Sequence, residues 1–199
     1  MAKAMSELHG KRLAHQRSQE GFSLLEVVIS MAVTTVGLVS LAGVFGLAMA
    51  TTQSSQQDMI AKQLANEAYD SIITARNTTE INWDQLQNVG STSCPISGAS
   101  SCGIFLTGAQ SIYNAGNDGI YGTADDASSG QRQTLHDPGP DGIFGTADDI
   151  LIPLTGYQRT ISIAAVNSTL RSVTITIQYT TPQSIQKTYV VNSYFSEFF

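Results

Sequence analysis

Charge is scarce in this chain. Asp, Glu, Lys and Arg make up 13% of its 199 residues, about half the usual share. With 42% hydrophobic residues and a mean hydropathy near zero, that excludes a disordered polyelectrolyte and argues against an ordinary charged cytosolic enzyme. Basic charge is the scarcer sign. Ten Lys and Arg face sixteen Asp and Glu, a formal net charge of −6, so nucleic acid is not an expected partner. Cysteine and histidine number two and three, and two sulfurs do not make a zinc site. The patterns H-E-x-x-H and G-x-S-x-G and a phosphate-binding glycine loop are all missing. Acid pairs such as Asp125 and Asp126 resemble metal ligands more than an acid–base couple, so no catalytic residue is assigned and no enzymatic activity is expected.

The missing charge has an address. Residues 27–50 contain none, and these 24 residues would reach about 36 Å as a helix, against roughly 30 Å of bilayer hydrocarbon. Lys3, Lys11, Arg12 and Arg17 precede them against Glu7 and Glu20, so the first 21 residues carry +2 and the remaining 178 carry −8. By the positive-inside rule the N-terminus is cytoplasmic and the bulk of the chain lies outside. A cleaved signal peptide is a poor fit, although Ala48-Met49-Ala50 resembles a cleavage site, because its apolar region would be 7–15 residues. A plain signal anchor leaves Glu26 unexplained. An acid inside an apolar segment costs about 2.5–3.5 kcal/mol on insertion scales and marks function.

The run Gly21-Phe22-Ser23-Leu24-Leu25-Glu26-Val27-Val28-Ile29, after a basic leader and before an apolar helix, resembles the class III signal of type IV prepilins. That family comprises major and minor pilins and the pseudopilins of type II secretion. The resemblance covers residues 11–50. It implies cleavage by a membrane prepilin peptidase between Gly21 and Phe22, and N-methylation of Phe22. Glu26, fifth after the junction, would meet the Phe22 amine of a neighbouring subunit and set filament register, a role buried ion pairs sometimes have. The implied partners are other pilin subunits, the prepilin peptidase, the inner-membrane assembly machinery and the membrane itself. The chain would sit in the inner membrane before assembly and in a periplasmic or extracellular filament afterwards. Two departures from many major pilins stand out. No proline interrupts the apolar stretch, which instead carries Gly37, Gly43 and Gly46, and the 21-residue leader is long. The long leader leans toward a minor pilin or another atypical member.

Residues 51–76 lack proline and glycine, and Ile60, Leu64, Ala68 and Ile72 recur every four residues. That pattern predicts an amphipathic continuation of the apolar helix, one element from about Phe22 to Arg76. Period-two alternation takes over later. Ile161, Ile163 and Ala165 share one face, as do Val173, Ile175, Ile177 and Tyr179, while Tyr189 and Val191 oppose Val190 and Tyr194. Turns are expected at Asn167-Ser168 and around Pro182, giving an antiparallel meander over residues 154–195. The fold class is therefore α+β: a long N-terminal helix, half transmembrane and half amphipathic, packed on a C-terminal β-meander. The predicted organisation is a leader at 1–21, a transmembrane or filament-core helix at 22–50, a head-packing helix at 51–76 and a globular head at 77–199.

Two features fall within the head. Cys94 and Cys102 enclose seven residues, and in an oxidising compartment they are expected to form a disulfide worth about 2–3 kcal/mol. Residues 114–149 contain a duplication. Gly116-Asn117-Asp118-Gly119-Ile120-Tyr121-Gly122-Thr123-Ala124-Asp125-Asp126 recurs 23 positions later from Gly139 to Asp149, with two differences. Counting from Asn114 and from Asp137, oxygen side chains stand at positions 1, 5 and 12, with glycine at 6, as in calcium loops. The metal ligands so predicted are Asn114, Asp118, Asp125 and Asp126, and Asp137, Asp141, Asp148 and Asp149, with Ca²⁺ as the expected ion. Glycines at positions 3 and 9 thin the ligand set and imply weak affinity, and flanking helices are not expected. Asp-Gly pairs are also ordinary turn chemistry. The function these readings favour is a minor pilin of a type IV pilus-like filament. The alternatives are a type II secretion pseudopilin and a membrane-anchored, calcium-dependent adhesin that never polymerises.

Overall fold

The computed structural model describes residues 21–91, 102–128 and 130–198. The leader at 1–20 and Cys94 lie outside the described residues. The chain divides into two units, Met1–Gly46 and Leu47–Phe199.

Within the first unit the described chain is helical from Leu24. This is the start of α1, which runs Leu24–Asn77, two residues later than the sequence pattern suggests. The Ser23 carbonyl opens the helix by accepting from the Glu26 and Val27 amides at 3.0 and 3.2 Å. Thr34, Thr35 and Ser40 turn their hydroxyls back onto carbonyls four residues earlier, at 2.7, 2.7 and 2.8 Å. Polar residues thereby sit in an apolar helix without needing water. Gly37, Gly43 and Gly46 do not interrupt it.

In the second unit the same helix becomes a core element. Ala61, Leu64, Ala65, Ala68, Ile72 and Ala75 are buried, whereas Ile60 is only half-buried. Three of the four predicted stripe residues, Leu64, Ala68 and Ile72, are buried as expected, and Ala61, Ala65 and Ala75 are buried alongside them. Past Asn77, Thr79 takes a left-handed conformation at φ 62°. The Glu80 and Ile81 amides both return to the Ala75 carbonyl, at 2.9 and 3.3 Å, and stop the helix. A short 3-10 turn follows at Trp83–Gln85.

Next come β1 (Gln110–Ser111), α2 (Ala124–Ser128), β2 (Thr134–Asp137) and β3 (Ile150–Pro153). The chain then forms β4 (Tyr157–Asn167), β5 (Leu170–Thr180) and β6 (Gln186–Ser196). The main sheet has the order β1-β4-β5-β6, and β2 pairs with β3 in a separate hairpin. The three long strands are the expected meander, antiparallel throughout, with Ile161 opposite Ile175 and Ile175 opposite Val191. Alternation is clean in β5, where Arg171, Val173, Ile175, Ile177 and Tyr179 are buried and their neighbours are not. In β4 it fails beyond Ile163: Ala165 keeps its register opposite Arg171 and is nonetheless exposed, and a bulge between Ala165 and Asn167 follows it. The β2–β3 hairpin is a departure from the expected irregular loop.

Three polar side chains seat the connecting segments. Arg159 and Arg171 are buried, continuing the inward faces of β4 and β5. Arg171 donates to the Trp83 and Leu86 carbonyls and lies 4.3 Å from the Trp83 ring centroid. Asn88 prolongs the sheet where β1 ends. Its amide donates to the Ile161 carbonyl at 2.8 Å, and its oxygen accepts from the Ile163 amide at 2.7 Å.

Candidate functional site

Two sets of residues are candidates for function, one in each unit. In the first, Phe22 is 80% exposed, and the large apolar residues from Leu24 to Met49 are exposed with it. This is the candidate membrane span, and none of its most apolar stretch is buried. Residues so apolar, on a helix that carries its own backbone hydrogen bonds, need lipid or other helices around them. Glu26 lies in the first turn of α1. Among the described residues Lys187 and Asp58 form an ion pair, and Glu26 has none. The geometry therefore presents an apolar helix with one acid near its start and no counter-charge for that acid among the described residues.

The second set is the duplicated acidic loop, and its two copies fold alike. Gly119 and Gly142 have φ of 67° and 69°, and Gly122 and Gly145 have 91° and 89°. Such values favour glycine, which explains why these positions repeat without change. Asp118 Oδ1 accepts from the Ile120 amide and Asp141 Oδ1 from the Ile143 amide, both at 2.8 Å. Asp126 Oδ2 accepts from Gly122 and Asp149 Oδ2 from Gly145, both at 2.7 Å. Thr123 and Thr146 donate to Asp125 and Asp148 at 2.5 and 2.6 Å. A Cβ on Gly116 would stand 2.1 Å from Asp125 Oδ2, and one on Gly139 would stand 2.4 Å from the Asp148 carbonyl oxygen. The repeated glycines, the threonine and Asp118, Asp125 and Asp126 with their counterparts thus each have a local job in closing the turn.

The copies differ in their surroundings. In the first, Ile120 is buried and oxygens of Asp118, Asp125 and Asp126 lie within 4.8 Å of one another. Burial raises the Asp118 and Asp126 carboxyls above the ordinary carboxylate range. The Thr123 hydroxyl holds Asp125 below it, as Thr146 does for Asp148. An all-oxygen donor set with crowded negative charge suits a hard cation. The other predicted ligands lie differently. Asn114 lines a cleft of about 280 Å³ with Glu67, Gln133 and His136. Asp137 ends β2 and accepts from the Gly139 amide at 3.1 Å. Asp141, Asp148 and Asp149 occupy an exposed turn. The expectation of no flanking helix is also corrected, because α2 carries Asp125 and Asp126 in its first turn. Cys102 is buried, while its expected partner Cys94 lies outside the described residues.

Sequence reasoning missed the arginines. Arg159 is buried, its guanidinium 4.4 Å from the Tyr121 ring centroid, and its charge favours ionisation of Asp126. The signal was present, since Arg159 is two residues before Ile161 in the inward register.

Against known families, residues 16–42 match the model described as the prokaryotic N-terminal methylation motif. The match spans Gly21, Phe22, Glu26 and the first turns of α1, so the chain is prepilin-like. No curated protein and no solved structure matches it.

Proposed function

We propose that this chain is a minor pilin of a type IV pilus-like filament, a reading supported by the methylation motif and the exposed apolar helix, which fit a type IV pilin-like or pseudopilin-like structural protein. The prepilin peptidase removes residues 1–21 and Phe22 is N-methylated. The product waits in the inner membrane and is then drawn into a filament through α1. One observation carries the reading: the exposed apolar stretch that opens α1 holds a single acid, Glu26, with no ion-pair partner among the described residues. A neighbouring subunit's Phe22 amine supplies the missing charge, so the acid rewards correct axial register among packed helices. Two further elements belong to the same proposal. Asp118, Asp125 and Asp126 hold a calcium ion that offsets their crowded charge, and Cys94 pairs with Cys102 to close the loop between them.

The test is a Glu26→Ala substitution in cells that assemble the filament. Membrane fractionation should show normal insertion and leader removal, while the chain disappears from the sheared filament fraction. Intact mass of the wild-type filament form should begin at a methylated Phe22. Undiminished incorporation of the Glu26→Ala chain would sink the assembly reading and favour a non-polymerising anchor. A mature form beginning at Thr51 would sink the cleavage assignment.

A further inference from the structure

The duplicated loop docks once inside its own molecule, and that docking defines what its second copy is built to do. In the first copy Ile120 is 3% exposed and belongs to the core. The Tyr121 amide accepts no such burial alone: it donates to Ser71 Oγ on α1 at 3.3 Å. The Tyr121 hydroxyl takes a hydrogen bond from Gln133 Nε2 at 3.0 Å, and the same amide reaches Glu67 Oε2 at 3.3 Å. Arg159 covers the Tyr121 ring. The receptor is therefore the apolar core beneath Ile120, edged by Ser71 and Glu67 of α1, by Gln133 and by one arginine.

The second copy repeats the turn hydrogen bonds of the first and has no seat. Ile143 is 61% and Phe144 65% exposed. They lie on the connection of the β2–β3 hairpin, whose strands are exposed along their whole length, Leu135, Ile150, Leu151 and Ile152 included. Among the described residues these two strands pair only with each other, and a lone two-stranded hairpin is marginal in water. Leu135, Ile150 and Ile152 share one face of the hairpin and Leu151 takes the other, and unpartnered apolar side chains so displayed mark an interaction surface. Phe144 also lacks the hydroxyl of Tyr121, so its seat needs no polar partner at that point.

Resting on the filament reading, we infer that the β2–β3 hairpin docks Ile143 and Phe144 into a helix-on-sheet seam on the head of a different prepilin-type subunit, one that presents an exposed Arg or Lys beside an apolar seat. Charge decides against a second copy of this chain. Residues 133–158 contain Asp137, Asp141, Asp148 and Asp149 and no Lys or Arg, and residues 47–199 carry six basic side chains against thirteen acidic. Of those six, Arg159 and Arg171 are buried and Lys187 is engaged by Asp58. Two such acidic heads repel, whereas a cationic seat repeats on the partner what Arg159 does for the first copy.

The test places a photo-crosslinking amino acid at position 144 of the full chain, in cells assembling the filament. The expected product joins it to a different prepilin-type subunit, at a peptide that bears Arg or Lys. In the same cells, Ile143→Asp with Phe144→Asp should lower incorporation about tenfold or more, as removal of a buried anchor pair does. The melting temperature of that double variant should stay unchanged, because both side chains are exposed in the free chain. A crosslink to a second copy or to a protein without a prepilin signal, the absence of any crosslink, or normal incorporation of the double variant overturns the inference. Glu26→Ala run alongside separates the two ideas. Its failure to assemble, beside normal assembly of the hairpin variant, leaves the filament reading standing without the hairpin.

Discussion

At the scale of single residues, the duplication is a controlled experiment within one chain. Gly122 and Gly145 adopt φ of 91° and 89°, so a side chain at either position is strained by about 1–2 kcal/mol. Their surroundings differ. A Cβ on Gly122 would fall 2.5 Å from Ile161 Cδ1, with Phe105 Cδ1 at 3.7 Å, whereas Gly145 has nothing within 4 Å. Gly122→Ala adds overpacking to strain, another 1–3 kcal/mol or so. It should lower global stability by about 2–5 kcal/mol in a denaturant titration. Gly145→Ala should change the global midpoint by less than about 1 kcal/mol, because an exposed loop can relax or open locally without unfolding the head. Equal losses from the two substitutions would show that the second loop is as tightly seated as the first.

At the scale of elements, helix and sheet were legible because each has its own period and a buried face. The span of α1 and all three long strands follow from spacing alone. The β2–β3 hairpin did not, and the reason is physical: Leu135 and Ile150, Leu151 and Ile152 are all exposed, so no one-sided burial imposed an alternating pattern on those eight residues. The acidic loops were legible as a duplication, while the difference in seating was not, since Ile120 and Ile143 are the same residue in nearly the same sequence. Arg159 and Arg171 were hidden because charge masks an inward position. One helix–sheet tether is testable by pH. Asp58 on α1 accepts from the Tyr179 hydroxyl of β5 at 2.6 Å and from Lys187 of β6 at 3.1 Å. The tyrosine bond first, and then the lysine, hold its carboxyl below the ordinary range. A carboxyl lowered by folding stabilises the head above the unfolded value of about 3.9 and loses that contribution as pH falls through the folded value. Asp58→Asn should therefore cost on the order of 1 kcal/mol at neutral pH, an exposed ion pair adding little. The cost should vanish at the acid end of the profile, where wild type and variant converge. A gap that stays constant down to the acid limb would assign the loss to packing and not to the charge.

At the scale of the whole molecule, the net −6 divides into a +2 leader and a −8 remainder, and the density of aspartate in one region of the head sets its response to cations. Three carboxylates within 4.8 Å, two of them raised by burial, are a cost to the fold that a bound divalent ion would remove. For an extracellular-type site of about 0.1–1 mM affinity, 10 mM calcium should stabilise the head by about 1.4–2.7 kcal/mol. That corresponds to a rise in melting temperature of about 3–10 °C for a head of this size. The measurement is a melting curve of the detergent-solubilised full chain, with EDTA, calcium or magnesium. Magnesium should do much less, since it demands a tighter octahedral shell. Asp118→Asn keeps an acceptor for the Ile120 amide while removing one charge, so it should abolish most of the calcium response and leave the EDTA curve nearly unchanged. The second loop, exposed in the free chain, should contribute little to the shift. Identical curves in EDTA and 10 mM calcium would reduce the repeats to turn chemistry. An equal response to magnesium would reduce them to screened surface charge.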